Sequence, residues 1–496
     1  MPKVKTVESL YSQCIHRIAR SLENIKTPVN VKRFKSWTGS PGSVKQTFDN
    51  ESSGINPFLE IPTELLENII SSFSFSKKVK HFNIEFLITA ELKKLIIPNM
   101  NCKYEQYLNF FPKLEKLQVL VLHQTNAGDS CLKIIGTWCK NLRILDINFC
   151  SRVTDTGIEL LIFQSKSTQL CKTLQKLFIS CRGVTKKGIK MAVNHFSALQ
   201  VLEDLKIFDV LVDVVQSSAK VQRQPQSFNF SFTRLEIRPA SLYRSGNLGL
   251  VLGYCPFVRE ITIVVKPGLT DTDLLCLTNL KNLQLLYIMG HSKSTGDEIT
   301  FHMGVAPVLK VIGNSLQFLD LSYFAFVDIW TIVKLCPHLI SLMFEKQCQS
   351  LSVLSENEII QLRNDKGRII FQELKVLHCG FNLSNDILFD LLSCPLLERV
   401  QLSFCYELTD NFLQEALANG IFKNVKVLSL DACNVVTKQG LDELVINDNS
   451  LEEISFHFCK KVTKKHVYDW HKIARRKNWK LLFEFEDSDT KLITYR

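Results

Sequence analysis

Apolar residues recur along this chain in the spacing L-x-x-L-x-L from Leu92 almost to the C-terminus. In one clear instance the three positions are Leu397, Val400 and Leu402, followed by Cys405, then by Leu408-Thr409-Asp410 and Leu413. The alternation of Val400 with Leu402 predicts a short strand with one buried face. Cys405 closes that strand inside the core, and Thr409-Asp410 suits the start of a returning helix. The first apolar position of each unit falls at Leu92, Leu117, Leu142, Leu174, Leu202, Phe232, Val258, Leu283, Leu316, Leu339, Leu374, Leu397, Val425 and Leu451, in steps of 23 to 35 residues. Periods of this length mark stacked repeats, none of which can bury its apolar face alone.

Two further signals run in phase with the ladder. Helix starts recur as VTDTGI (153–158), VTKKGI (184–189), LTDTDL (269–274), LTDNFL (408–413), VTKQGL (436–441) and VTKKHV (462–467). Cys-Pro pairs at Cys255-Pro256, Cys336-Pro337 and Cys394-Pro395 stop a helix before the next strand. The cysteine position holds Cys150, Cys405, Cys433 and Cys459, with Phe324 and Met100 in its place elsewhere. The expected fold is therefore α/β, a leucine-rich-repeat solenoid over residues 77–470. Strands pack about 4.8 Å apart and helices about twice that, so the stack should curve into a horseshoe with parallel strands on the concave face and helices on the convex face. Residues 208–232 are the least regular stretch, where VQRQPQS (221–227) interrupts the pattern and reads as an exposed loop, the insertion near 350–370 behaves similarly, and 471–496 reads as a cap: a basic helix, then the strand-like WKLLFEF closing the last edge.

Ahead of the ladder, residues 1–27 place Val7, Leu10, Cys14, Ile18 and Leu22 on one face of an amphipathic helix. Residues 28–57 are rich in Gly, Ser and Pro and read as a linker. Residues 58–76 predict a second helix, with Pro62 in its first turn and Leu65, Leu66, Ile69, Ile70 and Phe73 on its apolar face.

Composition narrows the function. The 496 residues are 46% hydrophobic and 22% charged, a globular balance. No apolar run is long enough to span a bilayer and the start lacks a signal-peptide core, so a cytoplasmic or nuclear location and no membrane partner are expected. The 16 cysteines form no C-x-x-C pair and read as packing thiols, so neither metal nor cofactor is expected. The net charge of +11 comes from Lys and Arg scattered along the sequence without a nucleic-acid-binding motif, so no nucleic acid partner is expected. A Gly-rich phosphate loop, G-x-S-x-G and H-E-x-x-H are all missing, which points away from an enzyme.

The ladder resembles the cysteine-containing leucine-rich-repeat proteins best known as the substrate-binding parts of F-box proteins. Ser9-Leu10-x-x-x-Cys14-x-x-x-Ile18 resembles the elongin-binding box of SOCS-box and VHL-box substrate receptors. That resemblance implies that Leu10, Cys14 and Ile18 meet elongin B/C. Ile61-Pro62-x-x-Leu65-x-x-x-Ile69 resembles the cullin-binding box that follows in the VHL type, which implies that Ile61, Pro62, Leu65 and Ile69 meet a cullin. The same segment resembles the opening helix of an F-box, through Ile61, Pro62, Glu64, Leu65, Leu66 and Ile69, and the family's later Val-Cys-x-x-Trp portion is missing. Three functions follow as expectations: a non-catalytic substrate-recognition subunit of a cullin-RING ubiquitin ligase, an F-box receptor with a truncated F-box on the Skp adaptor, or a scaffold unrelated to ubiquitin. Target-binding candidates are strand residues of the concave face: Asp146, Asn148, Phe149, Tyr287, Asp320, Tyr323, Glu345, Arg399, Gln401, Phe404, Asp431, His457 and Phe458.

Overall fold

A computed structural model describes residues 60–74, 84–99, 104–165, 168–169, 172–221, 229–238, 243–290, 299–322, 324, 326–344, 358, 360–361, 371–380, 383–446, 450–489 and 491–495. They fall into two compact units, within Val7–Phe232 and Thr233–Arg496, and each is a stretch of leucine-rich-repeat solenoid. The expected contacts Leu10, Cys14, Ile18, Tyr323 and Glu345, the linker, and Met100 lie outside the described residues.

In the first unit, β1 (Lys94–Ile96), β2 (Val119–Val121) and β3 (Ile144–Asp146) are followed by an antiparallel pair, β4 (Phe163–Ser165) with β5 (Thr168–Gln169), and then by β6 (Lys176–Phe178) and β7 (Val201–Glu203). The main sheet is parallel, in the order β1-β2-β3-β6-β7. The helix Thr63–Ser74 packs on its first strand with Leu66, Ile69 and Ile70 fully buried. Glu67 Oε1 accepts the N–H groups of Lys93 at 2.8 Å and Lys94 at 2.9 Å. This end of the sheet is thus covered by a helix and partly hydrogen-bonded by a carboxylate, two ways of blunting an open edge. Pro62 precedes the helix, and its carbonyl takes Leu66 N at 3.0 Å.

The second unit holds an eleven-stranded sheet. Its strands are β8 (Arg234–Ile237), β9 (Glu260–Val264), β10 (Leu285–Met289), β11 (Phe318–Asp320), β12 (Ser341–Phe344), β13 (Val376–Gly380), β14 (Arg399–Ser403), β15 (Val427–Asp431), β16 (Glu453–His457), β17 (Leu482–Glu486) and β18 (Ile493–Tyr495). All neighbours are parallel except β18, which turns back on β17. The register stacks the second apolar position of every repeat: Leu377 lies beside Val400, Val400 beside Leu428, and Leu428 beside Ile454. One expectation is corrected. Leu202 pairs with Leu177, the second position of its own repeat, so the preceding repeat position is Leu199 rather than Leu202.

The cysteine position works as expected and has one more occupant. Cys150 Sγ donates to Leu122 O (3.0 Å), Cys181 to Ile147 O (2.9 Å), Cys433 to Leu402 O (3.3 Å) and Cys459 to Leu430 O (3.4 Å). Each thiol thereby satisfies a buried carbonyl of the strand before it. Cys181 escapes the sequence pattern because its strand end is one residue shorter, Ile179-Ser180-Cys181 against Ile147-Asn148-Phe149-Cys150. Burial pushes the Cys181 thiol up to about 12 and those of Cys405 and Cys459 up to about 11. Ellman's reagent at about pH 8 should leave Cys150, Cys181, Cys405, Cys433 and Cys459 unlabelled in the native chain and consume all 16 thiols in denaturant. Rapid native labelling of these five, mapped by mass spectrometry, would contradict the packing role.

The Thr-Asp motif does more than start helices. Thr154, Thr185, Thr409 and Thr463 are N-caps whose side chains accept a first-turn N–H. An Asp at the first helical position, after Thr154 and Thr409 and also after Gly128, reaches into the next repeat: Asp129 takes Thr154 N (2.8 Å) and Oγ1 (2.7 Å), Asp155 takes Thr185 N (2.8 Å) and Oγ1 (2.6 Å), and Asp410 takes Thr437 N (2.8 Å) and Oγ1 (2.6 Å). A glycine makes room for each carboxylate, since a Cβ on Gly157, Gly188 or Gly440 would stand 2.3, 2.4 or 2.5 Å from the incoming Oδ1. Asp271 makes the same contacts to Thr300, and a π-turn over Phe301–Val305 sets Gly304 in the receiving place.

Candidate functional site

Strand residues that alternate with the buried ones form a face opposite the helices in each unit, and most candidate contacts sit there. In the first unit this face carries Asp146, with His123 Nδ1 at 3.9 Å from its Oδ1. Burial raises the pKa of Asp146, and the Asn148 N–H and the His123 charge offset part of that rise. Asn148 is 6% exposed and occupied at both ends of its carboxamide: Oδ1 takes Ser180 N at 2.6 Å, and Nδ2 donates to Glu203 at 3.3 Å. It is therefore a strand-end tie between repeats and not the free contact expected from alternation.

Phe149 is 61% exposed and stands edge-on to His123, with ring centroids 5.2 Å apart. Its φ is +59°, and the same left-handed step occurs at Phe404 (+54°), Ala432 (+50°) and Phe458 (+54°). Each residue of this set sends its N–H to the next strand: Phe404 to Asp431 O at 2.7 Å, Ala432 to His457 O at 2.7 Å, and Phe458 to Glu486 O at 2.8 Å. That bond offsets a backbone cost of about 1–2 kcal/mol. The left-handed step breaks the alternation of the strand, so a residue that period-2 counting places inside is turned outward. Phe458 is exposed and Phe404 half-buried.

In the second unit the register lays the face out in rows. One row runs Leu285, Phe318, Ser341, Val376, Arg399, Val427, Glu453 and Leu482. The next runs Tyr287, Asp320, Met343, His378, Gln401, Ser429, Ser455 and Glu484. Tyr287, Asp320, Gln401 and Asp431 are half-buried, and Arg399 is exposed. Asp320 Oδ1 already takes Ser322 N at 2.9 Å. His457 Nδ1 lies 3.5 Å from Glu486 Oε2. Alternation did not single out His378, Glu484 or Glu486, and for the last two the signal was present in the LFEFE of the closing strand.

Of the expected cullin contacts, Pro62 is exposed, Ile61 and Leu65 are half-buried, and Ile69 is fully buried. Ile69 is thus a core residue against β1, which corrects its assignment as a docking side chain. Among the described residues no three His, Cys, Asp or Glu side chains are grouped to hold a metal ion, and no helix is long and apolar enough to cross a membrane.

No family model matches the chain. Among solved structures it is similar to the Rad7 and Elc1 complex of yeast, with a TM-score of 0.47 and 15% identity, covering 93% of this chain and 96% of that one. It is also similar to the TLR13–ssRNA13 complex, with a TM-score of 0.38 and 15% identity, covering 74% of this chain and 46% of that one.

Proposed function

We propose that the chain is a non-catalytic substrate-recognition subunit of a cullin-RING ubiquitin ligase, holding a target protein on its sheet face and an adaptor through its N-terminal segment. The observation that carries the recognition half is the row pattern of β8 to β17. Apolar, hydroxyl and charged side chains of adjacent strands stand side by side there, most of them half-buried. Such a mixed surface suits a protein partner. The adaptor half is supported by the Leu10, Cys14 and Ile18 pattern and by the exposure of Pro62 beside Ile61 and Leu65. In this reading the chain supplies proximity and specificity while its partners carry the chemistry.

One observation favours a second reading, a scaffold without ubiquitin chemistry. The helix Thr63–Ser74 caps the first sheet through Glu67, Leu66, Ile69 and Ile70, so its presence is explained by stability alone. A pull-down separates the readings. Tagged chain should capture elongin B/C and a cullin, and Leu10→Ala with Cys14→Phe should abolish capture. Skp captured by both forms moves the protein to the F-box class, and no adaptor captured by either leaves the scaffold.

A further inference from the structure

The last repeat carries a second surface, on its helix side, that target recognition by the sheet does not use. Residues 460–480 hold nine Lys and Arg (Lys460, Lys461, Lys464, Lys465, Lys472, Arg475, Arg476, Lys477 and Lys480) against one acid, Asp469. That is +8 of the chain's net +11 in 21 residues. All nine are exposed, and among the described residues none is paired with a carboxylate. The helix Lys464–Arg476 gathers them: at about 100° per residue, Lys464, Lys465, Lys472, Arg475 and Arg476 fall within about 120° of one another, along a stripe about 18 Å long. The opposite side of the helix is locked down, with Val467 at 0%, Trp470 at 1% and Ala474 at 3% exposure. The stripe is therefore rigid.

We infer that this stripe docks the phosphodiester backbone of duplex DNA, without reading its sequence. Charge complementarity calls for a polyanion, and three properties select among polyanions. A protein partner would need a desolvated apolar centre, whereas this surface is rich in Lys, a residue depleted at protein interfaces, and its one exposed aromatic, Tyr468, lies under Lys472 Nζ at 4.6 Å. An anionic membrane holds an amphipathic helix firmly by taking in its apolar face, and here that face is buried in the solenoid, which leaves only the charge attraction of the stripe. A single strand is held in a groove with stacking platforms, which one tyrosine on a convex helix does not provide. A straight row of point charges fits a stiff duplex carrying a charge about every 1.7 Å.

Fluorescence anisotropy of a labelled mixed-sequence DNA duplex with the full chain tests this. Five phosphate contacts predict a slope of about −4.5 in log K against log salt, a loss of roughly 500-fold between about 50 and 200 mM. Reversal of Lys464, Lys465, Lys472, Arg475 and Arg476 to Glu should weaken binding by at least about 100-fold and flatten the slope. The same five changed to Gln, which adds no repulsion, should give a smaller loss in a chain that melts like the parent. Reversal of the exposed Lys133, Lys140, Lys176, Lys187 and Lys281 should cost far less. Equal binding by the stripe variants, equal loss in that control, or tighter binding to polyglutamate, duplex RNA or phosphatidylserine vesicles than to the DNA duplex would overturn the proposal.

Discussion

Asp129→Ala and Gly157→Ala combined should destabilise the first unit by less than the sum of the two single changes. Asp129 alone takes Thr154 N and Oγ1 across the repeat boundary, and losing these charge-assisted bonds costs about 2–3 kcal/mol. Gly157→Ala alone drives a methyl group to 2.3 Å from Asp129 Oδ1 and 2.9 Å from Leu132 Cδ1. It must either displace the carboxylate, losing the same bonds, or strain the helix by about 1–3 kcal/mol, only partly offset by alanine's better helix propensity. Once Asp129 is Ala, the methyl at 157 loses its main obstacle. Urea unfolding followed at Trp138 should show a coupling of about 1–2 kcal/mol between the two sites. Strict additivity would mean that Gly157 is there for a reason other than the carboxylate.

The pairing of these residues explains which parts of the ladder can be read from sequence. Strand positions were legible because burial imposes period two, and Thr caps because an N-cap sits next to a rising apolar period. The Asp–Gly link joins residues about one repeat apart and becomes visible only when repeats are aligned. Where the first helical position is Asp, as at Asp129, Asp155, Asp271 and Asp410, the next repeat supplies a glycine. Where it is Asn247, Asn385 or Lys438, the next repeat carries Asp273, Phe412 or His466 instead. The repeat at Leu202 was misphased because Leu199 and Leu202 each offer an apolar residue at the expected step, and only strand pairing decides between them. Among the candidate contacts, Asn148 and Ile69 failed for one reason. Strand alternation for Asn148 and the helical box pattern for Ile69 each name a position, and neither shows whether a neighbouring element has already engaged it. Phe149 and Phe458 stand exposed where they were expected, through a left-handed step that alternation does not encode.

Asp273→Asn should destabilise the second unit by about 3–4 kcal/mol at neutral pH, with the gap to the parent closing in acid. Asp273 stands where other repeats carry the receiving glycine, and it sends its carboxylate backward. Oδ1 takes Gly246 N at 2.7 Å and Tyr243 Oη–H at 3.0 Å, and Oδ2 takes Thr270 Oγ1 at 2.9 Å and Thr270 N at 3.1 Å. The cap this holds is an unusual one, since Gly246 has φ +86° and no side chain of its own to offer. Burial by itself would raise the pKa of Asp273, but the N–H groups of Gly246 and Thr270, the Thr270 hydroxyl and Tyr243 outweigh it and hold the carboxyl below its ordinary value. A carboxyl depressed in the folded state contributes its full stabilisation above the unfolded value of about 3.9 and loses it as pH falls through the folded value. Asn offers one acceptor oxygen, and its amide group would point a donor at N–H groups that need an acceptor. Hydrogen exchange of peptides covering 243–274 should therefore accelerate strongly in Asp273→Asn near neutral pH, and denaturation midpoints of the two forms should converge below about pH 4. A difference between them that stays constant well below pH 4, where the folded carboxyl must take up its proton, would show that the side chain acts through its shape rather than its charge.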